Sequence, residues 1–342
     1  MISSVVIILA GLAGMAAADI SQACRTELSS RAVTIIVPNR PGGGYDVYAR
    51  AVAPALADHT GLRVRVVNND SGGGSVARQL VLESGAEDLL LLTENVVDLS
   101  MDPLDIAAGT YMISAFDLLA VAHIAPDAWV LPQGVDLADT SLTQLVASQG
   151  GFTDSVVSVV LVGKALGIET EVVGGYSGSG EFVAAVLRGE VDMTSVSLQT
   201  AMSRTEGNDA YVALTVSDGP ARDAPDVQYL AGRGGLAEQR SAGLGADTRA
   251  QRQKLARASV SLSGAVTGFF ASINIPQSTR DCLREGMAAA FADQSVAKDL
   301  ARQGRPLAPV TGSDATALVE SMVRDADAQR DLLDALLAEG SP

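Results

Sequence analysis

The sequence predicts an α/β protein of two lobes, each a mainly parallel sheet flanked by helices, with a ligand cleft between them. Three observations carry this. Strand-like apolar runs alternate with helical patterns along most of the chain, which implies parallel strands joined by right-handed crossovers. The alternation pauses after residue 95 and restarts near residue 118. Glycine-rich turns stand between strand and helix in both halves. Ligands of open α/β sheets bind beyond the carboxyl ends of the strands, and a cleft closed from both sides uses all of these turns. A length of 342 residues suits two ordinary domains.

The elements follow in order. Residues 33–37 form a continuous apolar run, as expected of a strand buried on both faces. A helix is predicted over 46–57, with Val47, Ala51, Ala55 and Leu56 on one side. Residues 62–67 alternate and read as a strand, "NNDSGGGS" follows, and a helix is predicted over 76–83. Residues 89–92 form a third strand ending in Thr93, Glu94 and Asn95. Residues 118–131 hold strand-like runs separated at 125–127. "GGFTDSVVSVVLVGKALG" reads as a turn and a helix capped at Asp154 or Ser155. "ETEVVGGYSGSGEFVAAVLRGEVDMTSVS" reads as strand, turn, helix and strand, and "AYVALTVS" as a further strand. Residues 218–258 are polar and rich in Gly and Arg, and read as irregular structure with one helix near 247–257. A strand ending at Pro276 is predicted next, then helices over 277–292 and 313–338. The first lobe is therefore expected to comprise 19–124 and 262–342, and the second 125–261.

The opening "MISSVVIILAGLAGMAAA" carries no charge, has a short apolar core and ends in an Ala-x-Ala signal. Residues 1–18 read as a cleaved secretory signal peptide, which places the mature chain in the periplasm. A membrane anchor is the alternative, but the core is short for a span. No later run reaches about 18 apolar residues, so the mature chain is expected to be soluble. Two cysteines remain, Cys24 and Cys282. In an oxidising compartment such a pair is expected to form a disulfide; two buried thiols are the alternative. The net charge of −16 argues against nucleic acid and anionic membrane surfaces as partners. It does not exclude a small anion, which responds to local N–H groups more than to distant, screened charge.

A Gly-rich turn after a parallel strand aims several amides at one point, and the following helix adds roughly half a positive charge at its N-terminus. Such turns occur at 41–45, 71–75 and 174–180, with a smaller one at 150–155. Gly42, Gly43, Gly44 and Tyr45 are candidate amide donors to a ligand carboxylate. Asp46 reads as a helix cap paired with Arg50 one turn on, or as a partner for a ligand amine. Ser71, Gly73, Gly74 and Ser75 either close the same site or form a plain turn. Thr93 and Asn95 end a strand where a hydroxyl or amide reaches a ligand, and Glu94 reads as solvated or capping. Arg40 is the one cation inside a candidate loop, a surface residue or a partner for a far carboxylate.

"VTIIVPNRPGGGYDVYARAVAPALADHTGLRVRVVNNDSGGGS", "VVGGYSGSGEFVAAVLRGEVDMTSVS" and "FFASINIPQSTRDCLREGMAAAFADQSVAKDLARQG" resemble, in order, segments of the TctC or Bug family. These are the extracytoplasmic solute receptors of tripartite tricarboxylate transporters. The resemblance implies a type II periplasmic binding protein that acts as a monomer. It implies a small carboxylate ligand, such as a di- or tricarboxylate, delivered to a permease of two integral membrane subunits. In the second lobe it points the turn of Tyr176, Ser177, Gly178 and Ser179 at the cleft, beside Thr153, Asp154 and Ser155. Asp192 touches ligand or ties down a neighbouring loop, and Ser195 and Ser197 are further candidates. The chain departs from the family pattern at Asn39, Arg40, Tyr45 and in "NDSGGGS", which bears on which acid it takes.

Catalytic patterns are weak. The two histidines, His59 and His123, lack metal-ligand spacing, and no Gly-x-Ser-x-Gly elbow or Gly-x-x-x-x-Gly-Lys-Ser/Thr loop occurs. No enzyme activity, metal or cofactor is expected. "GGGSVA" at 72–77 does fit a Gly-x-Gly-x-x-Ala dinucleotide fingerprint, with Glu94 about 20 residues on, so a dinucleotide-dependent enzyme is one alternative. A receptor that presents its ligand to a sensor kinase is another.

Overall fold

The computed structural model of the protein describes residues 20–100, 112–137, 144–148, 154–262, 264–329, 331–332 and 335. The expected signal peptide lies outside these residues. The described strands are β1 (Ala32–Val37), β2 (Arg63–Asn68), β3 (Leu89–Asn95), β4 (Phe116–Ala125), β5 (Asp127–Pro132), β6 (Gln144–Ala147), β7 (Thr170–Val173), β8 (Met193–Ser197), β9 (Ala210–Thr215) and β10 (Ala265–Ser272). They form two five-stranded sheets, in the orders β2-β1-β3-β10-β4 and β7-β6-β8-β5-β9.

The two sheets repeat one plan. β1 runs parallel to β2 and β3, and β10 lies antiparallel between β3 and β4. Likewise β6 runs parallel to β7 and β8, and β5 lies antiparallel between β8 and β9. Each sheet is thus mixed, with four strands in one direction and one reversed. The reversed strands are the ones that enter each sheet from the other lobe. β4 ends at Ala125 and β5 begins at Asp127, with Pro126 between. The return runs from the Ala246–Leu262 helix into β10. Asn95 fastens this return to β3: its Nδ2 donates to the Gly264 carbonyl at 3.0 Å, and its Oδ1 accepts from the Val266 N–H at 3.0 Å.

Helices cover the sheets. The Gly44–Thr60 helix packs its Tyr48, Val52, Ala55 and Leu56 into a core with β1, β3 and the Gln277–Ala292 helix. A second core is shared by the lobes: Val157 and Leu161 of the Asp154–Leu166 helix and Ala258 and Leu262 meet Leu92, Val121 and Phe270 of the first sheet. Residues beyond the Gln294–Arg302 helix return to β4, where the amides of Ala308 and Val310 donate to Ala122 and Val121.

Several elements differ from the sequence reading. The helix after β1 begins two residues earlier, because Gly43 already acts as its N-cap. β6 was not evident, since four residues show no clear period. The N-terminal Gln22–Leu28 helix is capped by the Ser21 side chain. The polar stretch 218–258 holds a short helix, Leu236–Ser241, besides the Ala246–Leu262 helix. After residue 292 the chain breaks and restarts a helix because the Asp293 side chain caps the Ser295 N–H. β10 ends at Ser272 rather than Pro276.

Cys24 and Cys282 are bonded, with their Cα atoms 4.9 Å apart. The bond ties the Gln22–Leu28 helix to the Gln277–Ala292 helix across 258 residues of sequence. The removal of such a crosslink is expected to cost about 2–5 kcal/mol. A denaturant melt of the protein reduced with dithiothreitol, or of the double variant Cys24→Ser, Cys282→Ser, should give an unfolding free energy lower by that amount.

Candidate functional site

Between the lobes lies a cavity of about 270 Å³, lined from both sides. The first lobe contributes the loop from Pro38 to Tyr45, Tyr48, Gly73 and the C-terminal Arg305. The second contributes the turn from Ser177 to Phe182 together with Ser195, Ser197, Gln199, Thr200 and Arg204. Arg78, Glu94, Asp98, His123 and Asp127 also line it.

The first glycine turn is shaped by Asp46. Its Oδ2 accepts from the Gly42 N–H at 2.9 Å, and its Oδ1 accepts from Asn68 at 2.9 Å and pairs with Arg50 at 2.9 Å. Gly42 sits at φ +88°, which an L side chain rarely adopts. The Gly42 amide is therefore engaged by the chain's own carboxylate, and its expected role as a ligand donor is corrected. Asp46 is buried and holds the loop rather than facing a ligand amine. Gly43, Gly44 and Tyr45 remain at the cavity, where the Gly44–Thr60 helix begins. Burial alone would raise the Asp46 pKa; the bonds from Arg50, the Gly42 N–H and Asn68 outweigh it and hold the carboxyl below its usual value.

The second turn holds the first. Gly74 lies at φ +89°, and a Cβ there would stand 2.8 Å from the Pro38 Cβ. The Ser75 hydroxyl donates to the Gly72 carbonyl at 2.9 Å, and the Ser71 N–H donates to Asn69. Of the candidates here only Gly73 lines the cavity; Ser71, Gly74 and Ser75 build the turn. Arg40 lines the cavity mouth and pairs with Asp70 at 2.8 Å, linking the two loops at an exposed position. Within the dinucleotide-like stretch 72–77, Gly74 packs against Pro38 and Gly73 lines the cavity.

The end of β3 also departs from expectation. Thr93 and Asn95 are fully buried and pair with β10, so neither lines the cavity. Glu94, expected to be solvated or capping, is buried against Arg78 at 3.0 Å, and both line the cavity wall.

In the second lobe, Ser177 donates both its N–H, at 2.7 Å, and its hydroxyl to Glu181, which is therefore held below its usual pKa. Gly178 caps the Ser179–Leu187 helix, and Ser177, Gly178 and Ser179 line the cavity. Tyr176 does not; it packs edge-on against Phe182, with centroids 6.4 Å apart. Asp192 is exposed in the turn before β8 and away from the cavity. Thr153 lies outside the described residues, and of Asp154 and Ser155 only their place at the start of a helix is described.

The sequence reading missed two cations. The Nη1 of Arg305 donates to the Thr200 hydroxyl at 2.9 Å, a bond from one lobe to the other. The same atom lies 3.9 Å from where a Cβ on Gly44 would stand, beside the first helix N-terminus. Arg204 holds the matching place in the other lobe, its Nη2 3.4 Å from the equivalent point on Gly180. Burial pushes the Arg305 guanidinium down from its usual pKa; Tyr48 opposes this, and the charge of Arg204 adds to it. Guanidinium groups stay protonated nonetheless. Among the described residues no carboxylate pairs with Arg305 or Arg204. Two helix N-termini and two guanidinium groups therefore converge on one cavity, an arrangement suited to a small anion. No local motif marks Arg305, which follows the "RQG" at the end of a helix.

The two sheets and the cavity between them define a two-lobed α/β protein. No protein-family profile matches the sequence. A UPF0065 protein of Bordetella pertussis is 26% identical over 212 residues, 58% of this chain and 64% of that protein. BugT of the same organism is 31% identical over 144 residues, 40% of each chain. The chain thus spans less than two thirds of the curated relatives it matches. Among solved structures, MatC of Rhodopseudomonas palustris with bound malate superposes with a TM-score of 0.67 at 20% identity, over 89% of this chain and 99% of that one. The chain is thus similar in sequence to UPF0065 and Bug proteins and shares its fold with MatC.

The buried contacts of Asp46 make a prediction. Its contribution to stability is present above the unfolded carboxyl pKa of about 4 and is lost as pH falls through the lower folded value. Asp46→Ala should lower the unfolding free energy at pH 7 by about 1–3 kcal/mol. The difference between variant and wild type should shrink in melts taken toward pH 3.

Proposed function

We propose that the protein is a periplasmic solute receptor that captures a small carboxylate in the interlobe cavity and delivers it to a two-subunit integral membrane permease. One observation carries the reading: two helix N-termini, each with a guanidinium beside it, line one cleft between the lobes. The malate held by MatC is a ligand of the same chemistry. The disulfide accords with an oxidising compartment, and residues 1–18 would direct export.

A carboxylate in this space would receive charge-assisted hydrogen bonds from Arg305 and the amides around Gly44, each worth about 1.5–3 kcal/mol. A calorimetric and thermal-shift panel of mono-, di- and tricarboxylates, with NAD as the control, should give stabilisation by at least one acid and none by NAD. Arg305→Ala should then weaken that acid by roughly 10- to 100-fold. No response to any acid would overturn the reading. Delivery is tested separately, by capture of the two integral membrane subunits with the ligand-loaded receptor.

A further inference from the structure

The cavity holds a second set of polar groups that the anion site leaves unexplained. Asp127 opens β5 at the crossover between the lobes and is 3% exposed. It accepts from the Gly264 N–H, yet its Oδ2 has no hydrogen-bond partner. Among the described residues no Lys or Arg pairs with it. Asp98, on the Val96–Ser100 helix, brings a second acid charge to bear on it. On β4, His123 is 9% exposed and lines the same space with both ring nitrogens unpartnered. Gln199 approaches the ring without reaching hydrogen-bond geometry. The nearby cations do not answer Asp127: Arg78 is paired with Glu94, and Arg40 with Asp70.

Buried polar atoms without partners are uncommon in folded proteins, because each forgoes the hydrogen bonds it made with water. Here the unanswered acid and the unanswered guanidinium groups line one cavity of about 270 Å³. Their complement is a small molecule that carries charge of both signs. Resting on the carboxylate reading above, we infer that Asp127 is a specificity-determining residue that receives the ammonium group of an amine-bearing carboxylic acid. An ammonium beside Asp127 also offsets the repulsion that the Asp98 charge exerts on its carboxylate, which a neutral hydroxyl does not.

A proton balance follows from the same geometry. Burial, then the charge of Asp98, pushes the Asp127 carboxyl up to about 7, against the pull of the Gly264 N–H. In the empty cavity near pH 7 a large share of Asp127 molecules therefore carries a proton. An arriving ammonium favours the carboxylate, and that proton passes to solvent while the amine keeps all of its own. The other titratable groups of this set are Asp98, His123 and the Arg78–Glu94 pair. His123 is held mainly neutral by burial, which lowers its pKa.

The test uses acids matched in length, such as aspartate with succinate and glutamate with glutarate, titrated calorimetrically into the whole mature protein. The amine-bearing member of a pair that binds should be at least about tenfold tighter. Titrations at pH 7 in phosphate and in Tris, whose ionisation enthalpies differ, should show proton release with that member and none with its amine-free partner. Asp127→Asn is isosteric with the protonated acid and should bring the preference to within about threefold of unity. Equal affinities within each pair, no difference in proton release, or a preference that survives Asp127→Asn would overturn the inference while leaving the carboxylate reading intact. Binding by none of the acids would defeat both.

Discussion

Arg305 carries a positive charge into a half-buried cleft where no described carboxylate of the chain neutralises it, and its one fixed partner is the Thr200 hydroxyl across the lobes. Chains seldom leave a desolvated charge in this state, because the loss of hydration is repaid only by a paired counter-charge. The same space holds Arg204 and the starts of two helices, which raise the positive potential further. An incoming anion relieves all of these at once. The net charge of −16 does not oppose this, since solvent screens distant charge over roughly 8–10 Å.

The duplicated topology explains why the two sides match. In each sheet the reversed strand lies fourth, and the parallel strands point their carboxyl ends at the cleft. A helix that follows such a strand must start there, so both lobes present a helix N-terminus without any special adaptation. Each lobe also trims its own loop with an acid, Asp46 in the first and Glu181 in the second. These acids occupy the outermost amides and fix the loop shape. Gly43, Gly44, Gly178 and Ser179 line the cavity together with Arg204 and Arg305.

Much of the site was legible because its parts are local. "PGGGYD" and "SGSGEF" announce strand-to-helix turns by composition alone, and both line the cavity. The reading failed where a residue's role depends on what lies opposite. Thr93 and Asn95 end a strand, but β10 pairs with them and turns them inward. Glu94 reads as solvated or capping because Arg78, 16 residues earlier, gives no local sign of the pairing. Tyr176 belongs to the expected turn, yet Phe182 draws its ring away.

The amino-acid sequence by itself determined the alternation of strands and helices, the division into two halves and the places where helix N-termini stand. Periodicity and glycine chemistry act within a few residues, so a linear reading captures them. Only the tertiary structure decided which charges meet. Arg305 reaches Thr200 across 105 positions of sequence, and Asp127 gains its burial from a crossover whose return strand lies far along the chain. Such pairings follow from the order of strands in the sheets and the path between lobes, and distance along the chain says nothing about them.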